Sequence, residues 1–251
     1  IQKNEEIEIG KDNFLDDRGI ISNYYIDDSI NMIGYVESVK GSIRGNHYHP
    51  VQTQKCLLIK GKYISVTKDL LDPYSVLETR LVNEGEMSTI PPNVAHTMIF
   101  LENSIFLNLV NGERDHKNFG ATHTLKYELI DKHQGELLLE SYKTECRVCG
   151  GGLNHFISLG LSPLANNLND RRNETNDLYP LDLNFCKQCS NSQLSVAVPA
   201  QKMFNNYVYL SSTSKQFRDH FDSFAKEIKN HLSLDNSSVV VDIGSNDGIF
   251  L

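Results

Sequence analysis

The chain has 251 residues, 39% hydrophobic and 22% charged, with 32 acidic against 24 basic side chains and a formal charge of -8. That length suits two domains or one large one, and an acidic chain without a basic run is a poor candidate for non-specific nucleic-acid binding. No apolar run approaches the length needed to cross a bilayer, and there is no secretory h-region, so neither a membrane nor a nucleic acid is expected as a partner and a cytoplasmic chain with reduced thiols is. The sequence begins at Ile1 without an initiator Met and stops at Leu251 just after a motif that normally opens a domain, so both ends read as cut.

From about residue 5 to 135 the chain consists of short apolar runs separated by turn signals. The runs include NMIGYVESV from Asn31, KCLLIKGKYISVT from Lys55 and SIFLNLVNG from Ser104. The turns carry Gly61-Lys62, Asn83-Glu84-Gly85 and Asn111-Gly112. Alternation with frequent turns predicts an antiparallel sandwich or barrel, not alternating strand and helix. Cys56 falls in the apolar run KCLLIKG and reads as a buried strand residue. Two segments carry chemistry: GSIRGNHYHPVQTQKCLLIKG, Gly41 to Gly61, and GEMSTIPPNVAHTMIF, Gly85 to Phe100. Residues two apart in a strand share a face, so His47 and His49 point the same way, with Arg44 nearby and His96 in the second segment. The bland alternative is a pair of surface histidines on an edge strand.

These segments resemble the two cupin motifs. Gly41, His47, His49 and Gly61 fall in place in the first, with Gln54 where a Glu would stand. Gly85, Pro91 and His96 fit the second, with Asn93 for its Gly and Phe100 for its Asn. The resemblance covers roughly residues 10 to 130 and implies a jelly-roll barrel. RGNHYHP is similar to the RGxH segment of dTDP-sugar 3,5-epimerases and the HxH of 3,4-ketoisomerases, and DDRGIISNYY from Asp16 looks like the epimerase D-x-R-G opening, which brings in Arg18. By position the resemblance makes His47 the base that removes a proton beside the sugar ketone, with His49 as the second ketoisomerase His. Arg18, Arg44, Gln54 and His96 then line the substrate. Neutral imidazole has the right pKa for such a base, and Arg44 or His49 could face the enolate. IFLNLVNGERD lacks the Tyr acid of the 3,5-epimerases, so a ketoisomerase or single epimerase is the better carry-over.

The second half opens with two knuckles, Cys146-x2-Cys149 and Cys186-x2-Cys189. Paired CxxC knuckles suit one tetrahedral structural Zn2+, and the long stretch between them needs a small subdomain. Two disulfides or a redox CxxC are the alternatives. SSTS then supplies N-capping hydroxyls, and Phe217, Phe221, Phe224, Ala225 and Ile228 recur at helical spacing over four or five turns. Val239-Val240-Val241-Asp242-Ile243 reads as a buried parallel strand opening into Gly244-Ser245-Asn246-Asp247-Gly248, a nucleotide-site arrangement of doubly wound folds.

In this order the paired CxxC, LSPLANN, YVYLSSTSKQFRDHF and VDIGSNDG resemble SAM-dependent sugar C-methyltransferases over essentially all of residues 146 to 251. The resemblance implies a zinc-binding domain before a Rossmann-like domain. Gly244 and Gly248 would let the backbone approach S-adenosylmethionine, with Asp242, Ser245, Asn246 and Asp247 around it and Tyr207 and Tyr209 by the substrate. Strands after Leu251 would be needed to close that pocket. The expected whole is therefore a mainly β cupin jelly roll (1–135), a small zinc-binding domain (136–205) and the start of an α/β methyltransferase domain (206–251). Its expected substrate is a dTDP-4-keto-6-deoxyhexose, and its expected assembly a homodimer through the cupin. The alternatives are a cupin dioxygenase with iron at His47, His49 and His96, and a non-catalytic sugar-binding module.

Overall fold

The computed structural model describes residues 4–27, 29–111, 123–205 and 207–251. Two compact units result, residues 1–164 with 169–199 and residues 165–168 with 200–251.

The first unit is built on strands β1 (Glu6–Ile9), β2 (Lys11–Asp16), β3 (Gly19–Asn23), β4 (Met32–Ser38), β5 (Ile43–Tyr48), β6 (Gln54–Lys60), β7 (Lys62–Asp69), β8 (Glu78–Asn83), β9 (Glu86–Ile90), β10 (Val94–Phe100), β11 (Ser104–Val110) and β12 (Leu125–Lys126). Two five-stranded antiparallel sheets form, in the orders β1-β9-β6-β11-β4 and β12-β5-β10-β7-β8. The antiparallel barrel-like sandwich expected from the turn spacing is present. The turn expected at Asn111-Gly112 runs outside the described residues at Gly112. Between the sheets lie Leu58, Tyr63, Val82, Met98, Phe100, Phe106 and Cys56, the last buried in its strand as expected. Among the described residues β2 and β3 pair only with each other, as a separate hairpin.

The second sheet is covered on both faces. Helix α1 (Lys132–Ser141) starts at Asp131, whose carboxylate accepts from Gln134 N at 2.7 Å, satisfying a first-turn amide. Leu137 and Leu138 from this helix pack with Ile64, Val66 and Ile99, and Ile130, Tyr142, Tyr179 and Val196 complete that cluster. Burial of both faces explains why β10 reads VAHTMIF without alternation, since every residue in it is buried. A third antiparallel sheet of β13 (Asn154–Pro163), β14 (Leu178–Phe185) and β15 (Ser192–Leu194) carries the cysteine knuckles at its end. It joins the barrel through Asp182, a fully buried carboxylate that accepts from Thr79 Oγ1 and, at 2.6 Å, from Ser158 Oγ. Tyr179 and Leu161 of this sheet enter the α1 cluster, so cysteine sheet and barrel share one core.

The second unit contains α2 (Ala200–Phe204), a short 3-10 turn at Ser211–Thr213 and α3 (Lys215–His231). Ser214, the last hydroxyl of SSTS, caps α3 by accepting from Phe217 N at 3.4 Å. The 17-residue helix has the length and amphipathic pattern read from the sequence. The strand expected at Val239–Ile243 is not formed. The segment is irregular and solvent-facing, with Ile243 96% exposed. A parallel strand needs ladder partners on both sides, and among the described residues none lies beside it. The expected Rossmann start is therefore absent as an element, and the segment stands as a loop.

Candidate functional site

His47, His49 and His96 converge inside the barrel. Ring centroids are 5.0 Å apart for His47 and His49, 4.6 Å for His47 and His96, and 5.3 Å for His49 and His96. The surface-pair alternative is thereby excluded, as His49 is 8% exposed and His96 1%. Cross-strand pairing brings them together, with His96 on β10 directly opposite His47 on β5. His49 is held from both sides of its ring. Nδ1 lies 2.8 Å from the His123 carbonyl, to which it donates, and Nε2 lies 2.7 Å from Gln54 Oε1. His96 Nδ1 lies 3.2 Å from the Val94 carbonyl, and its buried Nε2 has no hydrogen-bond partner among the described residues. Burial, then the neighbouring His47 and His49, hold the His96 imidazole well below its ordinary pKa, so it is neutral at pH 7.

A cavity of about 300 Å³ opens beside the cluster, lined by His47, His96, Gln54 and Arg44. Met98, Phe106 and Asn108 complete much of its wall, and sequence reading missed them. Phe106 and Asn108 alternate on β11, so their shared face was readable, but not which face turned inward. Arg44 keeps its guanidinium in place by donating from Nε to Ser38 Oγ at 2.7 Å and from Nη2 to the Glu37 carbonyl at 2.8 Å. Arg18 is elsewhere. It occupies the exposed β2–β3 turn, paired with Asp16, and does not line the cavity. Its D-x-R-G pattern makes a local turn in which the Asp16 carboxylate accepts from Arg18 N at 2.9 Å.

Three imidazoles at this spacing can move protons or hold a divalent ion, for their donor atoms lie within 4.8 Å of one another. The donor set lacks a carboxylate, and both nitrogens of His49 already face protein oxygens. The fit to a metal is therefore poorer than at the cysteines. There Cys146 Sγ and Cys189 Sγ are 3.6 Å apart and Cys149 Sγ and Cys186 Sγ 3.5 Å, well beyond a disulfide bond. A tetrahedron with Zn–S near 2.3 Å needs edges of ~3.8 Å, close to these two, and all four sulfurs lie within 4.8 Å of one another. Backbone donors feed the site, Gly151 N lying 3.4 Å from Cys149 Sγ. The amide of Cys149, with that of Val148, draws the Cys146 thiol down to about 6. Despite the Asn191 amide, the Cys189 thiol is pushed up to about 12 by its hydrogen bonding with Cys149, by desolvation, and by Cys146 and Cys186. The chemistry of the donor set fits Zn2+.

In the second unit the GSNDG loop folds back on the segment before α3. Asn246 Oδ1 accepts from Ser211 N at 3.2 Å, its Nδ2 donates to the Tyr209 carbonyl at 3.1 Å, and Asp247 accepts from Ser212 N at 2.9 Å. Gly244, Asn246 and Gly248 take positive φ, as the turns require. Tyr207 and Tyr209 have ring centroids 6.3 Å apart. The structure thus gathers Tyr209, Asn246 and Asp247, while Asp242 and Ser245 lie in the same irregular stretch.

Comparison with known proteins matches residues 146–204 to the family described as "Putative zinc binding domain". The match takes in all four cysteines. The C-methyltransferase NovU of Streptomyces niveus is 32% identical over 112 residues, 43% of this chain and 26% of NovU. The chain thus spans about a quarter of that curated relative. Among solved structures, a 3,4-ketoisomerase from Helicobacter canadensis is similar at TM-score 0.42 and 18% identity, over 55% of this chain and 99% of that one. A dTDP-4-dehydrorhamnose 3,5-epimerase from Sulfolobus tokodaii is similar at TM-score 0.40 and 21% identity, over 52% of this chain and 89% of that one.

Proposed function

We propose that the barrel is a nucleotide-sugar ketoisomerase or single epimerase, acting on a dTDP-4-keto-6-deoxyhexose with His47 as the base. The observation that carries this reading is the set of three converging imidazoles, with His47 and His96 on the wall of a cavity that also presents Arg44. In this reading His47 takes the proton from the carbon beside the ketone, and the electron pair moves into an enolate. Arg44 faces the developing negative charge. Returning a proton to the opposite face of that carbon inverts it; transfer of the neighbouring hydroxyl's proton to the enolate oxygen, followed by protonation of the carbon that bore the ketone, shifts the carbonyl instead. His49, tied to His123 and Gln54, orients the site. With the substrate in D2O, the parent should wash deuterium into the carbon beside the ketone, and His47→Asn should lower the exchange by about 100-fold. Full exchange in the variant would move the base elsewhere. Absence of exchange in the parent would favour a sugar-binding module.

The donor distances favour one further reading, a metal-dependent dioxygenase at His47, His49 and His96. Metal analysis separates the two. One zinc per chain, lost on replacing the cysteines, supports the cysteine site alone, and a second metal at the histidines supports the dioxygenase.

The remainder of the chain we read as part of a SAM-dependent sugar C-methyltransferase, with its functional divisions at 1–135, 136–205 and 206–251. What supports this is the cysteine family match and the identity with NovU, a C-methyltransferase. Zinc would hold the four cysteines and fix that fold, with no part in the reaction. A homodimer through the barrel is part of the same reading. Ile33 and Tyr35 lie exposed on β4, the edge strand of its sheet, and burying them against a second copy would stabilise it. Sedimentation of the chain as a monomer would count against that.

A further inference from the structure

The face of a regular strand alternates, so Arg44 and His47, three apart on β5, belong on opposite sides of the sheet. Both nevertheless line the cavity. The pairing shows how. His96 is opposite His47 and Thr97 opposite Gly45, which leaves Asn46 as an extra residue without a partner on β10. This is a β-bulge, and it resets the alternation so that Arg44 follows Met98 and His47 follows His96 onto one face. Gly45 and Asn46 take φ of 91° and 54°. A Cβ at Gly45 would meet the His96 carbonyl at 2.6 Å, so the backbones approach as closely as glycine allows.

We propose that Asn46 is the positioning residue of the histidine site. Its side chain makes four hydrogen bonds that lock the bulge. Oδ1 accepts from Thr97 Oγ1 at 2.6 Å, from Leu129 N at 3.0 Å and from Ile130 N at 3.2 Å, and Nδ2 donates to the Ile130 carbonyl at 2.8 Å. One amide therefore ties β5 to β10 and to the segment entering α1. Its backbone oxygen also accepts from Tyr127 N at 2.9 Å. Asparagine suits the place twice over: it tolerates the left-handed backbone, and its two-ended amide matches a peptide group's donor and acceptor. Asn46 does not line the cavity, so it acts through His47 and Arg44 and not on the sugar.

The inference rests on the proton-transfer reading, and Asn46→Gly tests it separately. Glycine keeps the positive φ and removes only the clamp. With dTDP-4-keto-6-deoxyglucose in D2O, kcat for exchange should fall by about 10- to 100-fold with KM changed less than threefold, the scale of a misaligned reacting group. The imidazole titrations of His47 and His49, followed by NMR, should shift together. Asn46→Asp, which keeps the three-donor acceptor, should recover part of the loss. Parent kcat and parent titrations in a folded Asn46→Gly would overturn the proposal, as would equal losses in both variants. If the parent itself shows no exchange, the proton-transfer reading fails; the NMR titrations still decide whether Asn46 positions the rings.

Discussion

Glu5 lies between the two barrel sheets and is 4% exposed, with its carboxylate accepting from Ser88 Oγ. Burial raises its pKa from 4.5 to about 7, against the hydrogen bond of Ser88, the nearby Ser65 hydroxyl and the charge of Arg80, which pull it down. Between these two values the folded chain holds a proton that the unfolded chain has released. The contribution of Glu5 to stability therefore falls as pH rises from about 4.5 to 7 and levels off above it. Its full size is up to ~3 kcal/mol. Glu5→Gln, measured by urea unfolding at pH 5 and pH 8, should be the more stable chain at pH 8 and lose this slope. An unchanged slope would place the titrating group elsewhere. His96 works in the opposite direction: its depressed pKa makes stability fall as pH drops below 6.5, where the unfolded imidazole takes up a proton.

Among the elements, β10 and the segment 239–248 show the two ways in which pattern reading succeeds and fails. The PPNVAH run entering β10 was legible as a site through His96, because a polar residue in an apolar run is informative on its own. The strand itself lacks alternation because α1 and the cysteine sheet cover its outer face. VVVDI reads equally well as a buried strand, yet it lies exposed. Apolar content sets what a strand would bury, not whether a neighbour is present to receive it. The GSNDG loop keeps its turns through Tyr209 and Ser212 but, among the described residues, has no sheet beneath it. We expect no SAM binding by this chain in calorimetry at cofactor concentrations up to the millimolar range. Micromolar affinity would mean that the loop alone builds a site.

At the scale of the molecule, barrel and cysteine sheet are one folded body, which sequence reading takes as two adjoining regions. Ile130, Leu138, Tyr142, Tyr179 and Val196 form a single cluster with the outer face of β7 and β10. The segment 123–130 connects that cluster to the histidines, through the His123 carbonyl on His49 and the Leu129 and Ile130 amides on Asn46. Losing the metal should therefore reach the barrel. Stripping zinc with a chelator, or Cys186→Ser, should lower the melting temperature by on the order of 10 °C and reduce deuterium exchange as well. A zinc-free chain with parent melting and parent exchange would show that the shared core carries no coupling.

Residue chemistry and local periodicity were legible from the letters alone: the paired CxxC, the histidines two apart, the Ser214 cap and the turns that make an antiparallel barrel. Each depends on contacts within a few residues, or on donor atoms whose type names their partner. Tertiary structure alone decided the rest. The bulge at Asn46, the His123 carbonyl on His49 and the double burial of β10 all arise from contacts between segments distant in sequence. A register shift of one residue exchanges the faces of a strand without changing a letter of its sequence, so which side chains meet in the cavity is settled only when β5, β10 and the segment before α1 are locked together.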